Sequence, residues 1–191
     1  ITAEENNHNC PWGGGVYTDQ TLQNNSLHNQ NEINKLIELA NTYASIIFSL
    51  SVGNEACVEW TDHMVPVVRV IEYVKQLKAA TKQPVTFCEN YVPWLDKLAP
   101  LVDVVDFISI HTYPLWEYKT IDEAISFTKQ NYQAVAKRYP HKLVVITEAG
   151  WASTSNGKGI PRAHANPVFQ KIYYQQLSHW CEEDCILTFI F

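Results

Sequence analysis

Three features of the chain lead to the expectation of a parallel α/β architecture of barrel type. Short apolar runs alternate strictly with amphipathic helical segments, the pattern of repeated β-α-β units. The run at residues 143–148 is a short β-branched stretch that ends on a carboxylate, as a buried parallel strand can, and a second short run at 45–52 also leads to one. Polar and aromatic residues follow every run, and a barrel assembles its site from all of its C-terminal strand ends. A doubly wound sheet would produce a similar alternation, but it gathers ligands at one switch point. No Gly-x-Gly-x-x-Gly and no phosphate loop is present to mark a nucleotide site.

Residues 1–30 are rich in Asn, Gln, His and Gly, including Gly13-Gly14-Gly15, and are expected to form an irregular loop on the active face. From Asn31 onward Ile33, Leu36, Ile37, Ala40 and Tyr43 recur at helical spacing, and the helix feeds a strand at 45–52 that ends on Gly53-Asn54-Glu55. A helix over 63–80 carries Val67, Val70, Ile71, Val74 and Leu77 on its apolar stripe. The strand at 84–88 ends on Glu89-Asn90-Tyr91, and a short helix follows over 94–101. The next strand, 104–110, ends on His111-Thr112-Tyr113-Pro114-Leu115-Trp116-Glu117. Side chains alternate along a strand, so His111 and Tyr113 are expected on the same side of its mouth. A helix over 121–139 leads to the strand at 143–148, whose last residue is Glu148. A loop over 154–165, a helix over 167–182 and a strand over 186–191 complete the series.

With 46% hydrophobic and 18% charged residues in 191, the chain is sized for one globular domain, residues 1–191. Twenty acidic against 14 basic residues give a net charge of −6 with no Lys/Arg cluster, which argues against nucleic acid and anionic membranes and for a neutral ligand. Six Trp and ten Tyr suit a buried core and equally a sugar-binding cleft. Five cysteines at irregular spacing, without a C-x-x-C pair, signal neither a disulfide framework nor zinc, so no metal site and no cofactor are expected. His179, Cys181 and Cys185 are read as a helix end with buried thiols. No apolar run is long enough to span a bilayer. The chain opens on Ile1 without a signal-like segment, so compartment is not legible. An extracellular or periplasmic setting is favoured, with the lone sequon Asn24-Asn25-Ser26 as thin support.

The two carboxylates at strand ends, Glu55 and Glu148, carry the chemical expectation. A single strand-terminal Glu is most often a solvated rim residue. A pair suggests glycoside hydrolysis, which needs one carboxyl group to protonate the leaving oxygen and another to attack or to activate water. An acid working near neutral pH needs a raised pKa, which burial and a neighbouring charge supply, and Glu55 is the expected proton-holding member. Glu148 must stay ionised to attack, and Tyr113 or His111 are the expected hydrogen-bond donors to it.

Three motifs then occur in order over nearly the whole chain: Val52-Gly53-Asn54-Glu55, His111-x-Tyr113-Pro114-x-Trp116-Glu117 and Thr147-Glu148-Ala149-Gly150-Trp151-Ala152-Ser153. Together they resemble glycoside hydrolase family 17, the β-1,3-glucanases of the large (β/α)8 TIM-barrel clan, and most of all its bacterial exo-β-1,3-glucanase-like branch. The resemblance implies that Glu55 ends the fourth strand as general acid/base and that Glu148 ends the seventh as nucleophile of a retaining double displacement on laminarin-like β-1,3-glucan. It implies also that Asn54 binds the sugar 2-OH. Ala149 and Ala152 stand where the family has Thr and Pro. Glu89 and Glu117 are candidate ligands of sugar hydroxyls, and Trp94, Trp116 and Trp151 are candidate stacking surfaces. Two other activities fit the same motifs, a β-1,3-glucanosyltransferase and a non-catalytic β-glucan-binding module, although binding alone does not require a carboxylate pair. Only five strands are readable where a closed barrel takes eight. The expectation is therefore an incomplete barrel, from the third-strand loop through the eighth strand, with open sheet edges prone to self-association.

Overall fold

The computed structural model describes residues 1–11, 13–157 and 159–191. They divide into two compact units, Ile1–Ile108 and Ser109–Phe191. Helices and strands alternate in both, apart from two single-turn helices in succession after β2.

In the first unit α1 (Asp19–Thr42) precedes β1 (Leu50–Asn54), and α2 (Val67–Ala80) leads to β2 (Val85–Asn90) and two single-turn helices, α3 (Tyr91–Trp94) and α4 (Ala99–Val102). Helix α1 starts twelve residues before the expected position, so much of the supposed N-terminal loop is helical. Thr18 caps it, its hydroxyl accepting from the Thr21 amide at 3.2 Å, and Asp19 complements the dipole in the first turn. The polar residues that made the segment read as loop mostly face water, and only Asn29, Ile33 and Ala40 of this helix are buried. The first strand, in contrast, begins five residues later than expected. The Tyr43 carbonyl accepts from both the Ile46 and Ile47 amides, so this β-branched pair closes the end of the helix, and Ile46 is 77% exposed. Local hydrogen bonding has overridden strand propensity there.

Strands β1 and β2 are parallel, with Leu50 opposite Val85 and Ser51 opposite Thr86. Asn54 then faces Cys88, so three steps along β1 match two along β2, and β1 carries a bulge. The Ser51 hydroxyl fits the gap: it accepts from the Cys88 amide at 3.2 Å and donates to the Gly53 carbonyl at 2.9 Å. Gly53 has φ +79° and Glu55 φ +44°, so the strand end twists over two left-handed residues. Val52, Val74, Leu77 and Phe87 form the core beneath, all with no exposed surface.

The boundary falls within β3 (Ile108–Thr112), and the second unit then holds α5 (Ile121–Arg138), β4 (Val144–Ala149), α6 (Pro167–Glu183) and β5 (Thr188–Ile190). A Thr120/Glu123 capping box starts α5, and Asn166 caps α6 through the Phe169 amide, with Pro167 in the first turn. Strands β4 and β5 are parallel, with Ile146 opposite Thr188 and Ala149 opposite Ile190. Three steps again match two, so the bulge lies at Thr147-Glu148. The buried stripe of α5 runs Ala124, Thr128, Asn131 and Val135, and Thr128 shares a hydrogen bond of 2.7 Å with Tyr173 of α6. Strands β2, β3 and β4 extend one or two residues past their expected ends. As a result Glu89 and His111 are strand residues with buried side chains, where the sequence had placed them at the strand mouths.

Candidate active site

Glu148 sits in the bulge of β4 with about a quarter of its side chain exposed. Its Oε2 accepts from the Tyr113 hydroxyl at 2.6 Å and lies 3.5 Å from Nδ1 of fully buried His111. Tyr113 thus donates to this oxygen and His111 lies beside it, because alternation along β3 sends residues 111 and 113 to the same side. The residue between them is held from below: Thr112 Oγ1 accepts from the Asn131 amide group at 3.0 Å. Sequence reasoning missed Asn131. The signal available for it was a polar residue on the inward stripe of an amphipathic helix, which burial must satisfy.

A cleft of about 460 Å³ opens in this unit, lined by Tyr113, Trp116, Trp151, Ser153, Gln170 and Phe191. Trp116 is 53% exposed, as a stacking surface requires. Gly159, at φ +75°, lies against its ring, and a Cβ there would come 3.1 Å from Trp116 Cζ3. The loop after β4 therefore backs the Trp116 ring through a position that favours glycine. Trp151 does a different job. It is 3% exposed, its Nε1 donates to the His164 carbonyl at 2.9 Å, and its ring meets Phe169 edge-on and Tyr173 at a tilt. It anchors the same loop at its return and also lines the cleft. Glu117 is exposed. At Gly150 a Cβ would lie 2.2 Å from the Phe191 carbonyl oxygen, so the residue after β4 has to be glycine for β5 to approach.

In the first unit Asn54 is exposed and Glu55 half-buried at the end of the β1 bulge. The Glu55 amide donates to the Cys88 carbonyl at 3.0 Å. The Asn54 carbonyl is 3.1 Å from Nε2 of His63, whose Nδ1 is 2.8 Å from Asp62 Oδ1. His63 clamps the strand end, and no sequence motif pointed to it. Trp94 has no exposed surface and is a core residue, which removes it from the stacking surfaces: a single-turn helix folds it under the sheet before it can reach the strand mouth. Glu89 is also completely buried. Its Oε2 accepts from the Cys57 amide and its Oε1 from the Asn90 amide, both at 2.7 Å. Burial, and then the charge of Glu89, push the Cys57 thiol up to about 12, so this cysteine is not a nucleophile. Among the described residues no group of three or more His, Cys, Asp or Glu side chains is placed to hold a metal ion, and no helix is long and apolar enough to cross a membrane.

Residues 4–191 match the family model of the BtgE/BtgC glycoside hydrolase domain. No curated protein matches the sequence. Among solved structures, the glycoside hydrolase family 17 β-1,3-glucanosyltransferase of Rhizomucor miehei is similar over 85% of this chain at 24% identity, with a TM-score of 0.72. An active-site mutant of that enzyme in complex with laminaritriose is similar over the same share at 25% identity, with a TM-score of 0.73. A glycoside hydrolase family 113 β-1,4-mannanase shares the fold over 85% of the chain at 17% identity, with a TM-score of 0.59. This chain spans 60% of the length of each Rhizomucor chain and 51% of the mannanase. The fold is accordingly α/β of the (β/α)8-barrel type.

Proposed function

Because the chain belongs to the BtgE/BtgC glycoside hydrolase family, we propose that it is a retaining glycosidase of β-1,3-glucan, with Glu148 as nucleophile and Glu55 as general acid/base. The observation that supports this most directly is the carboxylate of Glu148, held by the Tyr113 hydroxyl beside an aromatic cleft. A hydrogen bond donated to one carboxylate oxygen fixes which oxygen is free to attack. In the first step a Glu148 oxygen bonds to the anomeric carbon while Glu55 gives its proton to the departing glycosidic oxygen. In the second, Glu55 takes a proton from water, the water oxygen bonds to the anomeric carbon, and the Glu148 ester bond breaks. Asn54 would bind the sugar 2-OH, and Trp116 would stack on a sugar face.

The laminaritriose bound to the Rhizomucor relative supports a β-1,3-glucan over other glycans. That relative is a glucanosyltransferase, which favours a second reading in which a sugar hydroxyl replaces water in the second step. Proton NMR of laminari-oligosaccharide turnover tests both readings. The β anomer should appear first, and Glu148→Gln should lower kcat by at least ~10³-fold. An α anomer as first product would remove the nucleophile from Glu148, whereas products longer than the starting chain would identify transfer.

A further inference from the structure

We propose that Glu89 is a positioning residue for the general acid, acting through the backbone of the turn that follows Glu55. The inference rests on the acid/base reading of Glu55 and extends it to a residue that no sugar can touch. Glu89 has no exposed surface, so it cannot bind a substrate hydroxyl. Its two oxygens are committed instead to two amides, Cys57 at 2.7 Å and Asn90 at 2.7 Å. Cys57 is two residues after Glu55, and Asn90 ends β2, the strand to which the Glu55 amide is itself bonded through Cys88. The carboxylate thus ties the turn carrying the acid to the end of the neighbouring strand.

The need for such a tie follows from the backbone of the turn. Gly53 and Glu55 both have positive φ, and the bulge at the end of β1 leaves this stretch outside the regular ladder. A non-glycine residue in that conformation persists only when its surroundings over-determine it. A carboxylate accepting from backbone amides is a strong, short tether in a buried setting. A neutral amide in its place could accept at one of the two N–H groups only, and its NH2 would face the other. A displacement of about 1 Å of the acid is enough to cost about 100-fold in the step that needs it.

The test separates positioning from general damage by the leaving group. Glu89→Gln should turn over laminari-oligosaccharides at least ten-fold more slowly, yet lose less than three-fold on a dinitrophenyl β-glucoside, whose departure needs little protonation. Glu89→Asp, which keeps both acceptor oxygens but draws them back by one carbon, should show the same selective loss in smaller measure, and it decides the matter if the Gln variant does not fold. Equal loss on both substrates, or no loss on either, overturns the proposal. The underlying reading is checked separately with Glu55→Ala, which azide should rescue on the activated substrate. Absence of rescue would sink the role of Glu55 itself, and with it the premise.

Discussion

Tyr113 is the residue whose removal is most informative. Its hydroxyl donates to Glu148 at 2.6 Å while its ring meets Phe191 edge-on at 6.2 Å, so deletion of one oxygen leaves the packing in place. A hydrogen bond to a charged group contributes about 1.5–3 kcal/mol. Tyr113→Phe should therefore lower kcat on β-1,3-glucan by about 10- to 100-fold with a melting temperature near that of the wild type. A loss under two-fold in steady-state assays would reduce Tyr113 to a packing residue. His111, the second neighbour of the same oxygen, was legible as a strand-end histidine, but its complete burial was not. Alternation along one strand places 111 and 113 together, whereas burial depends on what other strands and helices lay over them. Glu89 shows the converse. By position it read as a rim carboxylate, and in three dimensions both of its oxygens turn inward to backbone.

Both candidate catalytic glutamates sit at strand ends interrupted by a bulge, in β1 and in β4. A bulge bends the strand and re-aims the side chain beside it, which a flat ladder would send to one face or the other. In β1 the distortion depends on Gly53, where φ is +79° and a Cβ would come 2.5 Å from the Ile1 side chain. Gly53→Ala is expected to cost about 1–2 kcal/mol for the left-handed backbone alone. It should cost more activity than stability, because the displaced turn carries Glu55. Calorimetry alongside laminarin hydrolysis checks this, and an unchanged melting temperature with full activity would show that the bulge tolerates a side chain. None of this was visible in the sequence beyond the glycine itself. The register of one strand against another is set by the pair, and a local string of apolar residues contains no trace of the extra residue. The starts of α5 and α6 fell where the periodicity put them, whereas the start of α1 did not, because its surface is polar almost all round.

The first unit also has a largely buried polar centre around Glu4. Glu4, with 4% of its side chain exposed, accepts from Arg69 Nε at 2.8 Å and Asn29 Nδ2 at 2.8 Å, and is bonded to the Tyr73 hydroxyl. Burial alone would raise its pKa, but the hydrogen bonds from Arg69, Tyr73 and Asn29, together with the guanidinium charge, outweigh burial and hold the carboxyl below its ordinary value. A depressed carboxyl contributes stability above its unfolded pKa of about 4.3, and that contribution disappears as pH falls through the lower folded value. Glu4→Gln should therefore destabilise the fold by about 1–3 kcal/mol at pH 7. The gap in melting temperature between variant and wild type should narrow as pH drops below about 4. A gap independent of pH would show that the network acts by shape rather than by charge. The alternation of strand and helix, the strand-end positions of Glu55 and Glu148 and the approach of Tyr113 to Glu148 were readable from the chain, because periodicity and strand-end chemistry are local properties of a sequence. The burial of Glu89 and Trp94, the support of Thr112 by Asn131, the clamp of His63 on Asn54 and the bulges that aim both glutamates came only with three-dimensional packing. Each depends on which residues from distant positions in the chain fill the same space, and local pattern does not encode that.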